Sequence, residues 1–190
     1  MGLVALLVAR SVGDKVAVGV YTFGLTAMYT SSACYHRGHW APAAKRRMRR
    51  LDHSMILVAI ASTYTAVAVL GLSKTTAWVL LSVVWTLAVA GAVLHNVWFD
   101  APRWTTAALY ITVGWVAVAA LPMMWASLGV AIFTLVIVAG LLYSTGAVLF
   151  SYGRPDPIPT VFGYHEVFHV FVIAAGLVFY VAVIALAARA

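Results

Sequence analysis

Long apolar stretches that follow one another almost without interruption constrain this chain more than any other feature. Six of them cover residues 16–36, 52–72, 76–99, 104–125, 128–152 and 162–187. A helix needs about 20 apolar residues to cross a bilayer, so each stretch is long enough to be one span. A seventh run, 2–9, is shorter. At about 1.5 Å per residue it covers less than half of a hydrocarbon core about 30 Å thick. It reads either as part of a helix truncated by the choice of start codon or as an interfacial segment. With 64% hydrophobic and 9% charged residues, no soluble core could hide this apolar surface. A soluble enzyme, a disordered chain and a nucleic-acid module are excluded. The expected fold is an all-α, seven-transmembrane helix bundle with a short or truncated first helix, and residues 1–190 form one integral membrane domain.

The formal net charge of +7 would suggest a nucleic-acid partner in a soluble protein, but here it is concentrated in one place. The connection after the second segment holds Arg37, Lys45, Arg46, Arg47, Arg49 and Arg50, and Arg103 and Arg154 fall on the same side. Arg10, Lys15, Lys74 and Arg189 fall on the other. The positive-inside rule puts the KRRMRR connection in the cytoplasm, where it also suits anionic lipid headgroups. The N-terminus is then cytoplasmic and the C-terminus external, in a multi-pass protein of the cell membrane. Cys34 is the single cysteine, so no internal disulfide framework exists. The start of the chain lacks the basic region of a signal peptide. The RPDPIPT run at 154–160 breaks the chain firmly before the last segment, and Gly129 marks a tight turn.

Ionisable residues inside a membrane are costly and mark function by default. Here they are few and most of them converge. His36 ends the second segment, Asp52 and His53 begin the third, and His165, Glu166 and His169 open the seventh. Alternating helix directions bring all these ends to one face. His165 and His169 are four apart and share a helical face, and HEVFH matches H-E-x-x-H, a pattern that can hold a divalent metal. No Asp, Glu, His or Cys follows His169, so a third ligand must come from another helix, and His36 is the best placed. Three imidazoles plus water make an open zinc site. Ser32, one turn before His36, shares its face, and Asp52 is placed to hold and deprotonate the water. Ser32, His36 and Asp52 also admit a serine-hydrolase reading, which the surrounding histidines disfavour. Glu166, one position off the ligand face, reads as a general base or as a favourable charge at a helix N-terminus. His39 reads as solvent- or headgroup-facing, His95 as interfacial with a role behind the metal ligands as the lesser alternative, and His53 as a cap or a contact to a neighbour. Trp40, Trp98, Trp104 and Trp125 read as belt residues.

SSACYH at 31–36, LDHSMI at 51–56 followed by STYTA, APRW at 101–104, Gly114–Trp115 and FGYHEVFH at 162–169 resemble the hemolysin III family, which is related to the progestin and adipoQ receptors and to the alkaline ceramidases. The resemblance covers the second to seventh segments in order. It implies a seven-helix bundle with its N-terminus inside, zinc near the cytoplasmic face on His36, His165 and His169, Ser32 close by, and Asp52 at the water. The chain departs from the family pattern at Ser62 and Ala66, where Gly and Pro are typical, at His95–Asn96, where a lysine is common, and at Phe179, where a histidine is common. Two functions follow as expectations. One is a zinc-dependent hydrolase of a lipid amide or ester, with membrane lipids as partners. The other is a pore-forming, cytolytic or receptor-like membrane protein with a structural zinc. An intramembrane metalloprotease would rest on HEVFH alone.

Overall fold

The computed structural model describes residues 2–98, 100–158 and 160–189. Phe99, expected to end the fourth segment, Pro159 of the proline-rich loop, Met1 and Ala190 lie outside the described residues. The described residues form α1 (Gly2–Val8), α2 (Val12–Arg37), α3 (Pro42–Gly71), α4 (Lys74–Val97), α5 (Arg103–Gly114), α6 (Leu121–Leu128), α7 (Val130–Tyr152) and α8 (Tyr164–Ala187). They hold no strand beyond a single bridge between Ile158 and Phe162. Five helical stretches are long and apolar enough to cross a membrane: α3, α4, α5 and α6 taken together, α7 and α8. The chain is an all-α, multi-pass membrane protein. α2 has 26 residues, ample for the thickness, but Thr22, Thr26, Tyr29, Thr30, Ser31 and Ser32 make it less apolar. It lies along α3, where a Cβ at Gly24 would collide with the Ser62 hydroxyl. Small residues such as Ala61, Ala66, Ala175 and Ala182 fill the core. In lipid, where hydrophobicity does not drive helix association, small residues are what let backbones approach.

Two segments, the basic run and the fifth, differ from the sequence expectation, whereas the short first helix is found as expected. The basic run 45–50 is not a loop but the first turns of α3, which begins ten residues before Asp52. Pro42 suits the first helical turn, and Ala, Lys, Arg and Met are strong helix formers. A scan for apolar stretches sees spans, not helices, and misses this extension. The 2–9 run is a short helix whose Ala5 and Ala9 are buried and which packs on α2 and α8. The fifth segment is broken by a 3₁₀ turn at Val116–Ala120, just before Pro122, which lacks an N–H and whose ring opposes the carbonyl four residues earlier.

Tyr64 repairs that break from α3. Its hydroxyl donates to the Gly114 carbonyl at 2.6 Å and accepts from the Ala117 N–H at 2.9 Å. Next to it, the Trp115 indole donates to Ser144 Oγ at 2.8 Å. Tyr64→Phe leaves two backbone groups unpaired in an apolar setting, at a cost of about 1–3 kcal/mol. The expected outcome is a lower thermal midpoint in detergent, and an unchanged midpoint would remove Tyr64 from this role.

Candidate metal centre

Three helix ends build the site. His36 lies in the last turn of α2, with Ser32 one turn before it. His165 and His169 lie in the first two turns of α8, one above the other. The start of α8 is held by two carboxylates: the Gly163 N–H donates to Glu166 Oε2 at 2.9 Å, and the Tyr164 N–H donates to Asp156 Oδ1 at 3.1 Å. Glu166 is exposed and turned back to the helix start. Of its two sequence readings, this geometry is that of the N-terminal charge.

His36 Nε2 and His165 Nε2 are 3.3 Å apart, and the three rings meet at centroid separations of 4.7, 5.3 and 4.8 Å. One nitrogen from each of His36, His165 and His169 lies within 4.8 Å of the others, so the group could hold a metal ion. Around a tetrahedral ion with Zn–N bonds of about 2.0–2.1 Å, ligand nitrogens sit roughly 3.3–3.4 Å apart. The His36–His165 pair already has that spacing, and small rotations of His169 close the third side. The donor set therefore fits the ion. Phe150 lies edge-on to His165 at 5.3 Å, which keeps that side of the cluster apolar.

Asp52 comes from the third helix of the site. It is buried, with 6% exposure, and its Oδ2 lies 4.0 Å from His36 Nε2 and 3.7 Å from His53 Nδ1. Ser32 and Asp52 line the same cavity. The structure thus brings Ser32, His36, Asp52, His165 and His169 to one end of the bundle. His39 is exposed.

His95 is buried against the protein, and its ring stacks on His53 at 4.7 Å with an interplanar angle of 5°. His53 Nδ1 bonds the Arg49 carbonyl at 2.9 Å. The adjacent Asn96 donates to Ser54 Oγ at 3.0 Å. The signal for this was present: Val84, Ala88, Gly91 and His95 share the buried face of α4, at the spacing of an inward stripe.

Below the histidines a cavity of about 170 Å³ runs into the bundle. Ser32, Asp52, His165 and His169 line its head, and Ile60, Val67, Leu72, Leu80 and Met124 line its deeper part. Residues 52–72 of the α3 segment rise about 30 Å, so the cavity follows most of the bilayer depth.

Fold and site together define a class: a multi-pass helical membrane protein with a three-histidine cluster at one end of its bundle. Residues 1–180 match the family described as Haemolysin-III related, and the chain belongs to that family. It is similar to Hemolysin-3 of Bacillus cereus, with 30% identity over 171 residues, covering 89% of this chain and 74% of that protein. It is also similar to the Hemolysin-3 homolog of Bacillus subtilis (strain 168), with 30% identity over 163 residues, 86% of this chain and 73% of the relative.

Proposed function

We propose that the chain is a zinc-dependent hydrolase of a lipid amide or ester, with zinc on His36, His165 and His169. One observation carries this reading: three convergent imidazoles and a buried carboxyl stand at the head of a long, mostly apolar cavity. Zinc bound there supplies Lewis acidity and makes water a nucleophile near neutral pH. The rest is done by the chain itself. The cavity takes the acyl chain and sets the carbonyl level with the histidines. Asp52 accepts the proton of the attacking water, and Ser32 orients the Asp52 carboxyl. Phe150 and Phe168 make the cavity side of the histidines apolar, while His36 is exposed and leaves the other side open to water. A conducting pore through one chain needs polar lining along its whole depth, and the deep lining by Val67, Leu72, Leu80 and Met124 argues for the hydrolase over the cytolytic reading.

The test is a screen of lipid amides and esters with detergent-purified protein, with and without a chelator. Chelator-sensitive release of fatty acid is expected. A turnover that survives complete metal removal overturns the reading, as does zinc-loaded protein inert towards every lipid.

We also place the basic end of α3, and with it the site, on the cytoplasmic side. The positive charge of Lys45–Arg50 favours that side. Reporters inserted after Ala44 should read cytoplasmic and reporters fused at the C-terminus external. An external signal at Ala44 would reverse the orientation.

A further inference from the structure

Below the histidines the cavity is mostly apolar, and Thr63, Tyr64, Tyr110 and Ser144, which also line it, already donate their hydroxyls to backbone carbonyls. Two further tyrosines line it, Tyr29 of α2, which is 36% exposed, and Tyr143 of α7. Both hydroxyls crowd the backbone of α8 at Gly176, where a Cβ would lie 2.5 Å from the Tyr29 oxygen and 3.6 Å from the Tyr143 oxygen. The absence of a side chain at Gly176 makes room for the Tyr29 hydroxyl, and the Tyr143 oxygen stands within contact distance of the same point. Their hydrogen bonding is incomplete. The Tyr29 hydroxyl reaches the Val172 carbonyl at 3.5 Å, a long contact, and the Tyr143 hydroxyl has no hydrogen-bond partner among the described residues. Tyr21, 2% exposed, lies behind them, near both, and its hydroxyl is also unpartnered. Unpaired polar groups at membrane depth are expensive. Three phenols placed together beside an open cavity call for an oxygen that can both accept and donate.

We infer that Tyr29 and Tyr143 form a polar waypoint in the cavity that binds a hydroxyl carried midway along a lipid acyl chain. Two independent routes give its depth. Tyr29 precedes His36 by seven residues on α2, and Gly176 follows His169 by seven on α8. Each is about two helical turns, or roughly 10 Å. The preferred ligand carries its hydroxyl about that far from its carbonyl. A hydroxyl suits the site because it accepts from Tyr143 and donates back to a phenol oxygen. A plain chain leaves the phenols unpaired, and a polar pocket rejects the analogue that lacks the group it binds. An ordered water is the other source of such an oxygen, and a chain with a hydroxyl displaces it at little loss.

The inference rests on the acyl-in-cavity part of the proposed function and not on turnover, so it is tested by binding. Full-length protein in nanodiscs is titrated with octadecanoate, 10-hydroxyoctadecanoate and 2-hydroxyoctadecanoate, read by displacement of a fluorescent fatty acid. The mid-chain hydroxy acid should bind about tenfold tighter than the other two, the gain expected of one or two net hydrogen bonds. Tyr143→Phe should erase the preference while leaving octadecanoate binding and the thermal midpoint close to wild type, because the ring that lines the cavity is kept and only the hydroxyl is lost. Tyr29→Phe should reduce the preference in the same way and serves if the first variant does not fold. Equal binding of all three acids overturns the waypoint, with water filling the site, and leaves the acyl cavity standing. A preference that survives both substitutions also overturns it. Failure of every acid to bind overturns the waypoint together with the acyl-in-cavity reading.

Discussion

Wild type should carry about one zinc per chain, and His36→Ala, His165→Ala and His169→Ala should each strip the protein of most of it. Each removes one of only three protein ligands of a tetrahedral site. The loss should exceed the roughly 10–100-fold typical of changing a residue that merely supports a ligand. The three residues come from two helices that are far apart in sequence, so a metal held by them would also staple α2 to α8. Binding that is confined to the folded state stabilises it by about 2.7 kcal/mol at a hundred times the dissociation constant. In a chain of this size that is roughly 5–10 °C. A chelator should therefore lower the thermal midpoint of wild type by that order and leave the three variants almost unmoved. Full zinc content in all three variants, or an equal chelator effect on wild type and variants, would sink the assignment of the ion to these histidines.

Much of this site was legible before any coordinates because the bilayer simplifies the problem. A chain of spans alternates in direction, so residues at the end of one span and the start of the next share a face. His36, Asp52 and the pair His165 and His169 are brought together by that rule alone. What the sequence concealed depends on packing or on helices that do not cross the membrane. The first turns of α3 are polar and pass unnoticed in a search for apolar runs, although Pro42 and the Lys/Arg run are good helix material. The break between α5 and α6 had a visible cause in Pro122, but its repair by Tyr64 is a contact between residues 50 and 53 positions apart. His95 reads as interfacial from its place near a helix end, and the inward stripe of α4 is what turns it towards the bundle. The phenol group at Tyr29 and Tyr143 was invisible, because three helices and one missing side chain at Gly176 make it.

Asp52 and Glu166 are the two carboxyls that could take a proton at this site, and their surroundings assign them different tasks. Asp52 is buried, 4.0 Å from His36 Nε2, and lines the cavity. Glu166 is exposed and bonded to the Gly163 N–H at the start of α8. A general base must reach the proton that it removes, and only Asp52 faces the space where a substrate carbonyl would sit. Asp52→Asn keeps the shape of the side chain and a partner for Ser32, but the amide cannot accept the proton. Zinc content should stay nearly at the wild-type level, while hydrolysis should fall by roughly 10²–10⁴, the usual contribution of a positioned base. Glu166→Gln should leave turnover within a few-fold of wild type and cost at most the few tenths to one kcal/mol of a charge at a helix N-terminus. The reverse pattern, with Glu166→Gln silent in folding but inactive, would mean that HEVFH works as a protease-like acid–base motif and that Asp52 only supports His36 and His53. Equal turnover in wild type, Asp52→Asn and His169→Ala would detach the hydrolysis from this site and favour a structural role for the metal.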